Sequence, residues 1–319
     1  MRRFCFAVVM LSVASGFLAL PIAAAQETIT LEVALTAGRD PNVNLVQDYG
    51  IESWADVLAR EFNKLYPHVQ VEFRVANLEQ VAVMIASGIG PDIVNGAANR
   101  FVEMGREGAF VDLAPLLAAE GIDLEASQTY WPPQMAAFEY QGRLFALPQY
   151  LGTVAMQYNA DMFAYAGIPD PDPRADVNTM DWEEFENIAK KLTQDTNGDG
   201  ITDVYGFGKV MGGNRVHHWQ ISAGAQAYGN EERTVSLLDS PAGIEALEYL
   251  QSLRWEAGVI APPGVSASWE RGEVAIHERG SWEMVRYLGL DSRGEPKVSF
   301  GWNVFPMPIG PSGERATFA

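Results

Sequence analysis

The chain has 319 residues, with 41 acidic against 22 basic side chains and a formal net charge of −19. That balance repels nucleic acid and anionic lipid and argues against both as partners. With 48% hydrophobic and 20% charged residues the chain is globular rather than disordered, and its length suggests two domains or lobes.

The opening residues read as an export signal. Arg2 and Arg3 precede an apolar run from Phe4 to Leu20, followed by Pro21 and the small-residue site Ala23-Ala24-Ala25. This predicts cleavage after Ala25 and a signal peptide over residues 1–25. An uncleaved anchor is the alternative reading, because the run is nearly long enough to span a bilayer; Pro21 and the alanines favour cleavage. The single cysteine, Cys5, lies inside this segment, so the mature chain carries none. Disulfides, thiolate catalysis, cysteine-ligated metals and attachment of a lipid to the mature N-terminus are thereby excluded. The expected location is the periplasm.

Ile29, Leu31, Val33 and Leu35 alternate as a strand, and Trp54, Leu58, Phe62 and Leu65 recur at helical spacing until Pro67. Val69, Val71, Phe73 and Val75 alternate again, Leu78 to Ala86 reads as a helix, Ile93-Val94 as a short strand, and Phe101 to Glu107 as a helix stopped by Gly108. This βαβαβ order implies a mostly parallel sheet with helices on both faces. A second α/β block starts with the strand Thr153 to Tyr158. Asp181 and Glu184 have capping-box spacing ahead of Phe185, Ile188, Ala189 and Leu192; Ser240-Pro241 opens a helix holding Leu247, Leu250 and Leu253, which Gly258 closes. No Gly/Ser-rich linker separates the blocks, so short crossovers are expected to act as a hinge.

Residues 195–203 place oxygen side chains at alternate positions around Gly200: Asp195, Asn197, Asp199 and Asp203, with the Ile201 carbonyl between them. The pattern suits a calcium loop, and position twelve is Gly206 where an EF-hand has its bidentate Glu. A run of Asx turns needing no ion is the other reading. No cofactor is required, and a structural calcium ion is the one metal the sequence suggests.

Trp282, in Arg279-Gly280-Ser281-Trp282 just after the run Val274-Ala275-Ile276, is placed either to stack on a sugar face or to sit in the core. Tyr150 and Trp219 are the other aromatics expected to face a cleft. Catalytic signals are weak. His217 and His218 are adjacent and make a poor chelate, and no G-x-S-x-G, H-E-x-x-H or phosphate loop occurs. The acidic pairs Asp181/Glu184 and Glu270/Glu273 could in principle serve a glycosidase, and capping and a solvated helix face explain them at least as well.

Several segments together resemble the extracellular solute-binding proteins of ABC importers, family 1, the maltose-binding-protein-like sugar binders. They are Ser87-Gly88-Ile89-Gly90-Pro91-Asp92-Ile93, Gly108 to Leu113, Gly142 to Pro148, Tyr158-Asn159-Ala160-Asp161, Asp181 to Phe185, the Asp195 loop, Gly272 to Ile276 and Gly280-Ser281-Trp282, in order across nearly the whole mature chain. The resemblance implies an α/β, two-lobed periplasmic-binding-protein fold with hinge crossovers near Tyr150 and Ile276 to Glu278. On it the N-terminal lobe takes residues 26–149 and 278–319, and the C-terminal lobe residues 150–277. It also implies solute contacts at Arg39, Asp40, Asn99, Arg100 and Trp282, with Asn214 to Trp219 opening a helix beside the cleft. Gly96 stands where the family's maltose binder has a second stacking tryptophan, and Asn99 replaces an acidic residue, so the identity of the sugar departs. Family members continue beyond Ala319, which implies a C-terminally truncated sequence. The function expected is capture of a mono- or oligosaccharide by a monomer that delivers it to a membrane permease. The alternatives are the same fold binding glycerol phosphate, a polyamine or a compatible solute, and an exported carbohydrate-active enzyme.

Overall fold

The computed structural model describes residues 28–36, 54–96, 100–124, 130, 132–149, 152–171, 180–208, 216–230, 234–281, 284, 287 and 295–317. The expected signal peptide over 1–25 lies outside them. The chain divides into two compact units, Met1–Asn42 with Glu52–Ala97, and Val43–Ile51 with Ala98–Ala319.

In the first unit the alternating apolar run forms β1 (Ile29–Leu35), which pairs in parallel with β2 (Val69–Val75) on one side and β3 (Ile93–Asn95) on the other. Its last residues, Val33, Ala34 and Leu35, are buried, as a central strand covered on both faces requires. Helix α1 (Trp54–Leu65) leads into β2, and α2 (Leu78–Ala86) follows it. A reciprocal capping box starts α2. The Asn77 side chain accepts the Gln80 N–H at 2.8 Å while the Gln80 side chain accepts the Asn77 N–H at 2.9 Å. Such a cap stabilises a helix by about 1 kcal/mol.

The second unit opens with three short helices, α3 (Phe101–Arg106), α4 (Ala114–Ala119) and α5 (Pro132–Ala136), and a hairpin of β4 (Glu139–Tyr140) and β5 (Arg143–Leu144). Gln141 and Gly142 turn the hairpin with φ of 50° and 74°, both left-handed, as a two-residue turn matching strand twist demands. Its main sheet runs β7-β8-β6-β9, from β6 (Val154–Asn159), β7 (Tyr205–Phe207), β8 (Val274–Gly280) and β9 (Trp302–Phe305). Strand β6 is antiparallel to both neighbours, and β7 is parallel to β8.

Helices α6 (Ala160–Tyr165), α7 (Trp182–Leu192), α8 (His217–Ser222) and α9 (Pro241–Trp255) accompany this sheet. Asp181 caps α7 by accepting the Glu184 N–H at 2.9 Å. The core holds Met156, Tyr158, Phe163, Phe185, Phe207, Leu253, Ile276 and Phe305, each at most 1% exposed. Full burial of one such side chain contributes roughly 1.5–3 kcal/mol. Strand β7 lies against α7 so closely that a Cβ on Gly206 would sit 1.8 Å from the Ala189 carbonyl oxygen.

Residues 278–280 complete β8, whose ladder with β6 runs through Val154↔Gly280, and residues 302–305 add β9 to the far side of β6. Both belong to the second unit's four-stranded sheet. Residues 98–149 also group with the second unit.

Candidate functional site

The expected contacts Arg39, Asp40, Asn99, Tyr150, Asn214 and Trp282 lie outside the described residues. Arg100 stands exposed at the start of α3, its Nε 3.6 Å from the Glu103 carboxylate one turn on. Trp219 is a correction. Expected beside a cleft, it is 1% exposed, ringed by Trp182, Phe185, Phe207 and Tyr249, so neither ring face is open to a solute. His217 and Gln220 of α8, with Val216 just before it, line a hollow of about 500 Å³ together with Leu238, Asp239, Ile244 and Leu247.

The 195–203 loop is held by its own side chains. Asp195 accepts N–H groups from Gly200 and Gly198 at 2.7 Å each and from Asn197 at 3.3 Å. The Gly200 N–H, then those of Gly198 and Asn197, hold its carboxyl below the usual aspartate range. Asn197 accepts the Asp199 N–H, Asp199 accepts the Ile201 N–H, and Asp203 takes both the N–H and the hydroxyl of Thr196. Gly198 and Gly200 supply the left-handed φ values of 78° and 84° that this winding needs. Among the described residues no three His, Cys, Asp or Glu side chains gather to hold a metal ion. Successive Asx turns account for the alternating oxygens in this conformation.

Strand β8 carries polar side chains on both faces. On the core face Glu278, 1% exposed, accepts the Trp219 indole N–H at 2.9 Å and lies 3.4 Å from His218 Nε2. On the opposite face His277 is stacked on Trp269, centroids 4.1 Å apart at 9°. Its Nδ1 is 3.3 Å from the Arg279 Nε, and its Nε2 is 3.0 Å from Gln157 Oε1 and 3.4 Å from the Tyr287 hydroxyl. A guanidinium only donates, so Nδ1 must be the acceptor and the ring proton must sit on Nε2, where the Gln157 carbonyl receives it. Burial, reinforced by the Arg279 charge, holds the imidazole well below its usual range and therefore neutral at pH 7.

The result is an Arg279 side chain fixed through its Nε at the C-terminal end of β8, the end of an α/β sheet at which ligands gather. Ala155, its partner across the β6–β8 ladder, helps wall a hollow of about 320 Å³ with Thr153, Val304, Pro306, Arg315 and Thr317. This group went unnoticed in the sequence. The available signal was polar residues interrupting apolar strand runs, Gln157 after Val154-Ala155-Met156 and His277-Glu278-Arg279 after Val274-Ala275-Ile276.

The bacterial extracellular solute-binding protein family matches residues 48–314. An arabinooligosaccharide-binding protein of Bacillus subtilis is 22% identical over 277 residues, covering 80% of this chain and 58% of its own. A maltotriose-binding protein of Pyrococcus abyssi is 27% identical over 271 residues, covering 79% of this chain and 53% of its own. The chain thus spans little more than half the length of these curated relatives. Among solved structures, an ABC substrate-binding protein of Listeria monocytogenes in complex with cycloalternan superposes with a TM-score of 0.68 at 21% identity, over 92% of this chain and 69% of that one.

Proposed function

The chain belongs to the bacterial extracellular solute-binding protein family, and from that membership we propose that it is the solute-capturing component of an ABC importer, binding a mono- or oligosaccharide and passing it to a membrane permease. The observation that carries this reading is the family match over 48–314 together with relatives named for binding arabinooligosaccharides and maltotriose. The relatives matched are named for binding, which supports a reading in which the solute leaves as it arrived. Aromatic rings cover the C–H faces of a sugar while charged and amide side chains bond its hydroxyls, and Trp282, Asn99 and Asn214 are the residues proposed for these contacts. The protein works as a monomer in the periplasm after loss of residues 1–25.

Binding of the folded state alone raises its stability by about 2.7 kcal/mol when free solute is a hundred times the dissociation constant. A thermal-shift series with arabinooligosaccharides, maltodextrins, polyols and polyamines therefore tests the class. A midpoint raised by saccharides supports the reading, and one raised only by polyols or polyamines replaces it. Chromatography of the same saccharides after incubation separates binding from hydrolysis. Shortened products would make the protein an enzyme.

A further inference from the structure

Arg279 is a half-buried cation in a strongly acidic chain, yet among the described residues no carboxylate lies within ion-pair distance of it. The neighbouring Glu278 points to the other face of the strand, committed to Trp219. His277 occupies the Nε of Arg279, so the side-on edge of the guanidinium is closed and the end-on pair of terminal amino groups is left. Two parallel N–H groups in that geometry fit two oxygens of one carboxylate or phosphate.

A second guanidinium, on the exposed Arg315, belongs to the neighbouring hollow. Arg315 lines the hollow whose wall includes Ala155, and Ala155 is paired with Arg279 in the β6–β8 ladder and shares its face. Directly paired residues have Cβ atoms about 4.5–5.5 Å apart, so Arg279 leaves the strand next to Ala155, a residue of the hollow's wall, though it does not itself line the hollow. Arg315, like Arg279, has no carboxylate partner among the described residues. The walls between are apolar, from Val304, Phe305, Pro306 and Met307, with the Thr153 and Thr317 hydroxyls at the rim. About 320 Å³ is at the small end of ligand sites. The hollow lies where β8 and β9 end and β6 begins.

We propose that this hollow, flanked by Arg279 and Arg315, is an anion-recognising subsite, and that the solute is an acidic saccharide whose carboxylate or phosphate it takes. The proposal rests on the saccharide reading above and narrows it. Charge-assisted pairs of this kind discriminate strongly, because a neutral hydroxyl in place of the anion leaves the guanidinium without its counter-charge.

The test is calorimetric titration of the full chain with digalacturonate, glucose 6-phosphate and maltotriose, repeated with Arg279→Gln, Arg315→Gln and the double variant. Circular dichroism checks that each variant is folded. Expected is saturable binding of one anionic probe at least tenfold tighter than maltotriose, with that preference falling tenfold or more in each single variant and vanishing in the double one. Digalacturonate as the winner assigns a carboxylate, glucose 6-phosphate a phosphate. Preference for maltotriose, or anion binding indifferent to both substitutions, overturns the subsite and leaves the saccharide reading in place. Failure of all three probes also overturns the subsite, and the saccharide reading is then decided by the wider thermal-shift series.

Discussion

Replacing Trp219 with Phe removes one hydrogen-bond donor from a fully enclosed carboxylate. The indole N–H meets Glu278 at 2.9 Å, and both side chains are at most 1% exposed. A hydrogen bond to a charged acceptor contributes about 1.5–3 kcal/mol, and leaving the acceptor buried without it adds to the loss. The smaller ring also leaves a void among Trp182, Phe185, Phe207 and Tyr249. A double-mutant cycle isolates the polar part. Glu278→Met keeps a side chain of similar reach without the acceptor, so Trp219→Phe in that background costs only packing. Urea denaturation followed by far-ultraviolet circular dichroism should give a coupling of about 1.5–3 kcal/mol between the two sites. Because Trp219 offers no open ring face, saccharide affinity should change less than threefold in the single variant. A coupling under about 0.5 kcal/mol would refute the electrostatic account of this pair, and a tenfold loss of affinity at unchanged fold would return Trp219 to the solute site.

The neutral, buried His277 predicts a pH dependence. Its folded-state pKa is depressed, so its contribution is complete above the unfolded value of about 6.5 and is lost as pH falls toward the folded value, at up to about 1.4 kcal/mol per pH unit. Urea midpoints between pH 7.5 and 5 should decline less steeply in His277→Asn, whose amide oxygen still accepts from Arg279; parallel slopes would contradict the assignment. Gly206→Ala puts a methyl group into the Ala189 carbonyl and should cost about 3 kcal/mol or more, read as a lowered thermal midpoint. An unchanged midpoint would mean that β7 and α7 separate freely. Asp195→Ala should loosen the 195–203 loop, seen as faster proteolysis within it, and the wild-type loop should loosen likewise as acid protonates Asp195 below the ordinary aspartate range. If calcium protects the loop and a chelator reverses that protection, the ion-binding reading of its oxygens stands over the Asx-turn one.

Much of the fold was legible because its signals are local. The alternation in Ile29–Leu35 and Val69–Val75 became two parallel strands in register, and the Asp181 and Ser240 caps stand where side-chain oxygen preceded an apolar helical stripe. The Asn77–Gln80 box passed unnoticed because Asn and Gln carry the same chemistry under less familiar letters. What was not legible is what depends on distant partners. Nothing within residues 278–319 says that Trp302–Phe305 will bond to β6, some 145 positions earlier in the chain, since register between remote strands is set by the assembled sheet. Trp219 failed for a related reason. An indole near a helix start is equally suited to a cleft and to a core, and the decision came from Glu278 on β8, which accepts its N–H from the far side of the chain. The polar row of Gln157, His277 and Arg279 was visible as interrupted apolar runs, but only the β6–β8 register shows that the three share one face.

Saccharide capture without turnover is tested most directly by calorimetric titration of the purified chain with neutral and acidic oligosaccharides, with the recovered sugar then sized by chromatography. One saturable site with the oligosaccharide recovered intact is the predicted result. Shortened sugar, or no binding by any saccharide alongside saturable binding of a polyamine or polyol, would contradict it.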